Sequence, residues 1–217
     1  MRLSIAQKRV YVLIASLGKW SVRSGRTASR EKNMGLKEDQ EFSRAACERL
    51  IMGFPAKLLK KESAIADRLS QVKLSPLKKL EAVYELLGEI GAHIAPSTPC
   101  KKGCSSCCHY GVNVSEVEVQ YIEARTKHKR LKQMLPNENF HGQACPFLKE
   151  NSCSIYLARP FVCRRHHSLA PTPEWCAPDK SAAGDFARLE SSELKKAFDA
   201  LRVGSPVWDI RQVFRAQ

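Results

Sequence analysis

The chain has 217 residues, 43% of them hydrophobic, which is enough apolar material for a core of its own and fits one domain with an extension or one and a half domains. Its formal charge is +14, from 36 Lys and Arg against 22 Asp and Glu. No stretch approaches the roughly 18 consecutive apolar residues of a membrane span, and P-loop, glycine-rich dinucleotide and Ser/His/Asp signatures are absent as well.

The charge is unevenly spread. Residues 1–30 carry seven Lys and Arg and no acid, so half of the net charge sits in one arm; Glu31 is the first carboxylate. Val10 to Gly18 follows Lys8 and Arg9 as a short apolar run, in the manner of a signal peptide, but Lys19 and Trp20 interrupt the place where a cleavage site belongs. The arm is also rich in Arg and Ser and free of acid, as organellar transit peptides are. The favoured expectation is a loosely ordered basic extension over residues 1–34, or a start placed too early with Met34 as the true one.

Residues 35–96 read as helix. Phe42, Ala45, Ala46 and Leu50 punctuate a charged segment that runs from Asp39 to Met52 and stops near Gly53 and Pro55. Leu58, Leu59, Ile65, Leu69 and Val72 give a second segment about one apolar residue per turn. Ser75-Pro76 reads as an N-cap followed by proline at the first helical position. Leu77, Leu80, Tyr84, Leu87 and Ile90 line one face of the helix it opens, which Gly91 and the Pro96–Pro99 stretch are expected to end. His93, at its exit, reads as a surface histidine.

Residues 97–180 hold eight of the nine cysteines. Cys100, Cys104, Cys107 and Cys108 fall within nine residues, and Cys145, Cys153, Cys163 and Cys176 follow singly; only Cys47 stands apart. A c-type haem site would need His after Cys104-Ser-Ser-Cys107, where Cys108 stands instead. A thioredoxin-like pair does not bring further cysteines with it, and a disulfide framework suits smaller chains with an even count. Metal ligation is left as the leading reading. Between the clusters, Val112 and Val114 suggest a short extended piece, and Ser115-Glu-Val-Glu118 a capping box. The helix it opens is expected to carry Val117, Tyr121, Ala124 and Leu131 and to end in the basic run Arg125–Lys132, a solvated face with His128 in it. Residues 144–148 and 152–156 read as two short strands turning at Glu150–Asn151. Residues 136–180 hold six of the eleven prolines. So irregular a stretch needs cross-links to stay ordered, and metal–thiolate bonds would supply them. Residues 181–217 return to helix from Ala182 to about Leu201, with a last short helix around Trp208, Ile210 and Phe214.

One tetrahedral zinc or one [4Fe–4S] cluster takes four ligands, so eight thiolates allow two centres, or one with spare cysteines. Neighbouring side chains diverge, so Cys107 and Cys108 are expected to serve separate metals or separate irons, or to divide between ligation and packing. Four thiolates around a divalent ion leave an excess near −2. Lys101, Lys102, Arg159, Arg164 and Arg165 flank the cysteines and could offset it.

Cys104-Ser-Ser-Cys107-Cys108, Cys145-Pro-Phe-Leu148 and Cys153-Ser-Ile-Tyr-Leu-Ala-Arg-Pro-Phe-Val-Cys163-Arg164 together resemble the cysteine-cluster family named for its CxxCxxCC motif. One departure is the first gap, in which three residues separate Cys100 from Cys104. The resemblance spans about residues 100–176 and implies chelation of zinc or iron, an iron–sulfur cluster among the forms, and a bacterial cytosolic protein. Larger relatives are described as flagellin lysine methylases, which brings in a cluster-dependent methyltransferase as an alternative. A zinc-dependent nucleic-acid-binding module is the other alternative, on the strength of the net charge.

The expected architecture is therefore mainly α with an irregular Cys-rich metal-binding core and a short β hairpin. Cys100, Cys104, Cys107, Cys108, Cys145, Cys153, Cys163 and Cys176 are the candidate metal ligands. Cys104, Cys107, Cys145, Cys153 and Cys163 are expected to converge, with the other three at the edge. Tyr156, Arg159 and Arg164 are expected around the ligands, the guanidinium groups aimed at sulfur or backbone carbonyls.

Overall fold

The computed structural model describes residues 28–101, 103–182 and 184–215, with side chains from residue 35 onward. Residues 1–27 of the basic extension lie outside the described residues, whereas 28–34 form the first turns of α1, Ala28–Met52. The architecture is mainly α, with seven helices and two two-stranded antiparallel sheets among the described residues.

Two apolar cores organise it. The first is made by α1, α2 (Ala56–Gln71), α3 (Pro76–Ile94) and α6 (Ser192–Leu201), and it buries Cys47, Leu50, Ile65, Leu69, Leu80, Val83, Leu87, Leu194 and Phe198. The helices form as their apolar spacing requires, and Ser75 caps α3 by accepting the Lys78 amide at 3.4 Å, with Pro76 behind it. Gly91 does not end α3. The stripe of Leu87, Ile90 and Ile94 carries the helix three residues further, into a 3₁₀ turn over Ala95–Ser97, and packing outweighs the ~1 kcal/mol that a helical glycine costs.

The second core buries Val112, Val114, Val119, Ile122, Phe147, Ile155, Ile210, Val213 and Phe214, and Cys145, Cys153 and Cys163 pack against it. It is built on β1 (Asn113–Ser115), α4 (Glu116–Arg125), β2 (Leu148–Lys149) and β3 (Ser152–Cys153). The chain then passes through α5 (Phe161–Arg165), and β4 (Val207–Asp209) and α7 (Ile210–Val213) complete this half. The capping box holds: Glu118 accepts from the Ser115 amide and hydroxyl at 2.9 and 2.8 Å. Helix α4 stops at Arg125, so Leu131 is not on it. The basic run folds back instead, because Glu116 and Glu123 on α4 capture Arg130 at 2.9 and 2.8 Å. His128 turns inward, its ring 4.9 Å from that of Phe147, and is not part of a solvated face.

The C-terminal region divides between the two cores. Helix α6 begins ten residues later than expected, where buried Glu62 of α2 accepts the amides of Glu193 and Leu194. Residues 207–209 form a strand, with β-branched and aromatic Val207 and Trp208 following Pro206. It pairs with β1 in the register Asn113↔Asp209, Val114↔Trp208. Among the described residues after it only the single turn of α7 is helical, capped by Asp209 with Gln212 reaching back.

Candidate metal centre

Each cysteine-bearing piece is set by local chemistry. Gly103, at φ +88°, turns the chain into Cys104, whose amide donates to the Lys101 carbonyl at 3.0 Å. Cys107 and Cys108 lie on a 3₁₀ turn, Ser106–His109. The Cys145 amide donates to the Cys108 carbonyl at 2.8 Å, which ties the second cysteine segment to the first. Cys153 lies on β3, opposite Leu148, in a hairpin whose turn residues Glu150 and Asn151 both have positive φ, the tight turn favoured by twisted strands. Pro160 opens α5, which carries Cys163, and the amide of Phe161 donates to buried Glu118 at 2.9 Å. Cys176 ends a 3₁₀ turn, Pro173–Cys176, and accepts the Tyr110 hydroxyl on its carbonyl at 2.5 Å.

These pieces enclose a cavity of about 520 Å³. Cys104, Cys107, Cys108, Cys145, Cys153 and Cys163 line it, together with Val112, Phe147, Ile155 and Ile210 of the second core and with Lys101, Tyr110, Tyr156, Arg159 and His166. Cys100 and Cys176 stand outside the lining, and Cys47 is buried in the first core. All nine cysteines are free thiols. Among the described residues, no three Cys, His, Asp or Glu side chains are grouped closely enough to hold an ion as they stand, so the thiols share a wall and are not drawn to one point.

Five of the six lining thiols, Cys104, Cys107, Cys145, Cys153 and Cys163, resist ionisation. Burial pushes Cys145 up to about 11, and it pushes Cys163, Cys153, Cys104 and Cys176 upward too. Cys107 is raised first by a hydrogen bond with the Cys108 thiol and then by burial. A reactive redox cysteine has its pKa depressed by cations or a helix N-terminus. These thiols are the reverse, and a cation entering the cavity would relieve the burden.

Repulsion between thiolates marks two neighbourhoods. Cys145, Cys107 and Cys153 all oppose ionisation of Cys163, whereas Cys100, Cys104 and Cys107 oppose that of Cys176. Cys107 belongs to both. Arg159 is the cation that offsets charge at Cys107, Cys153 and Cys163. It lies 4.0 Å over the Tyr156 ring, and its Nε is buried without a hydrogen-bond partner. Such an N–H suits a metal-bound thiolate, so the donor set fits the implied metal. Tyr156 itself is 58% exposed. Arg164 turns from the thiols: its Nε donates to the Arg159 carbonyl at 2.8 Å, a second nitrogen donates to the Leu157 carbonyl, and its guanidinium lies 4.0 Å over the Tyr84 ring. Arg165 is opposite Glu190, and Lys102 lies outside the described residues.

Residue-type reasoning missed the group that holds the cysteine loops together. Arg211 of α7 is buried, paired with Asp209 at 3.0 Å. Its guanidinium donates to the carbonyls of Cys108, Tyr110, Gln143 and Ala144 at 2.6–3.2 Å. Asp209 also accepts the Val112 amide at 2.8 Å. The Asp209–Gln212 capping box was the one readable signal for this turn.

Residues 99–180 match the model of the CxxCxxCC family, described as a "putative zinc- or iron-chelating domain". No curated protein and no solved structure matches the chain. The matched segment is a little over a third of the chain, and Arg211, Asp209 and the four-helix core fall outside it. The six cysteines that line the cavity all fall within the matched residues, and over 99–180 the chain is similar to the CxxCxxCC family.

Proposed function

We propose that the protein binds zinc or iron in the cavity, with Cys107, Cys145, Cys153 and Cys163 as the first ligand set. Cys104 and Cys108 share the wall, and Cys100 and Cys176 belong to the second neighbourhood. The observation that carries this is that six cysteines from four separate stretches line one cavity, five of them held against ionisation. Loading would release their protons and couple metal affinity to pH. Arg159 would donate to bound sulfur and offset its charge, whereas Arg164 would act through the backbone that carries Arg159.

A polynuclear iron–sulfur centre, with an electron-handling role, is supported by the size of the cavity: a lone zinc lies about 2.3 Å from its sulfurs and needs far less room. Free thiols throughout suit a reducing compartment such as the cytosol.

Anaerobic purification followed by elemental analysis and a visible spectrum tests the reading. Stoichiometric zinc or iron in the wild type, and its loss in Cys163→Ser, is the expected result. A folded wild type that retains neither metal, and takes up neither when offered, overturns it. Broad visible absorbance distinguishes iron–sulfur from colourless zinc.

A further inference from the structure

We infer that the metal site is a mixed one, in which the His166 imidazole supplies a ligand through Nε2 beside the cysteine sulfurs. This rests on the metal-binding reading above.

His166 follows α5 directly, three residues after Cys163, in extended backbone, and lines the same cavity as six of the cysteines. Its Nε2 is buried and has no hydrogen-bond partner. Buried polar nitrogens are nearly always satisfied, so one that is not calls for a partner the protein alone does not supply. The other histidines beside the cysteine loops are engaged: His109 with the Ser105 carbonyl at 3.3 Å, and His141 with the Pro178 carbonyl at 3.2 Å. Among the described residues Arg159 Nε is the other buried orphan, but a guanidinium keeps its proton and can only donate. An imidazole nitrogen can ligate, and imidazole with thiolate is a common donor pair for zinc and iron.

The placement also ties the imidazole, through Tyr110, to the loop that carries Cys176: its ring meets Tyr110 edge-on at 5.9 Å, and the Tyr110 hydroxyl donates to the Cys176 carbonyl.

X-ray absorption at the edge of the bound metal, on the full chain loaded with zinc or purified with iron, tests this directly. The wild type should show imidazole ring scattering in addition to sulfur. His166→Ala should lose it, and His166→Cys should bind metal with the imidazole signal replaced by sulfur. An all-sulfur shell in the wild type, or imidazole scattering that survives in His166→Ala or His166→Cys, overturns the assignment while leaving metal binding standing. A wild type that takes up neither metal overturns both.

Discussion

Arg211 is a buried cation whose five N–H donors are spent on one carboxylate and four carbonyls, all in or beside the cysteine loops. Arg211→Met would leave Asp209 buried and uncompensated, which typically costs about 3–5 kcal/mol. The expected outcome is a lower urea midpoint together with loss of metal from anaerobically purified protein. Arg211→Lys should recover little, because one ammonium cannot span carbonyls that a planar fork reaches together. A Met variant with wild-type metal content and midpoint would show that the cysteine loops hold their positions unaided. None of this was legible in the residue types. An arginine near the end of a basic chain reads as one more solvated charge, and its neighbours at Cys108 and Gln143 are some 70–100 positions away in sequence. The cysteines that line the cavity, by contrast, were legible as a cluster because thiol chemistry is narrow and their spacing is dense.

At the scale of elements, local signals were legible and long-range ones were not. The Ser75 cap, the Ser115–Glu118 box and the Glu150–Asn151 turn follow from residues within a few positions of one another. The true start of α6 depends on Glu62, 131 residues before the amide it caps. That contact carries a prediction. Burial raises the Glu62 carboxyl, with the two amides opposing. A raised acid contributes stability that is present below its unfolded pKa and lost as pH rises through the folded one. Glu62→Gln keeps the acceptor without the charge, so it should match or exceed the wild type at pH 8 and lose that advantage at pH 4. Glu62→Ala strands both amides and should cost about 1–3 kcal/mol. Thermal melts across pH check both. The fold-back of residues 126–132 carries another. Hydrogen bonds from Arg130 lower the carboxyls of Glu116 and Glu123. Their contribution is present above the unfolded glutamate pKa and is lost as pH falls through the lowered one. Arg130→Met should therefore cost about 1 kcal/mol at pH 7, since the pair is partly exposed, and almost nothing at pH 3. A cost that does not shrink in acid would trace it to lost packing.

The whole molecule is two cores joined by shared side chains, and the C-terminal region serves both. The Tyr84 hydroxyl, on α3, donates to Glu118 of α4 at 3.1 Å, and Phe161 of α5 stacks on Phe198 of α6 at 4.1 Å. The second core has few regular elements and borrows its cysteine-bearing loops as walls. Stripping the metal should therefore loosen residues 101–182 and, with them, the β4–α7 segment that pairs with β1. Limited proteolysis under reducing conditions, with and without chelator, should show new cleavage in 101–182 and in 203–215 while α1, α2, α3 and α6 stay protected. Identical digests after confirmed metal loss would show that packing alone holds the second core.

The strand β4 and Arg211 follow every one of the eight clustered cysteines in the chain. On the ribosome, Cys176 therefore emerges before the residues that lock Cys108 and Gln143 in place. The cysteine loops would stay open through that interval, with ion capture and closure as separate events in time. A released chain that ends at residue 204 should exchange its ion freely with a chelator, whereas the full chain should hold it.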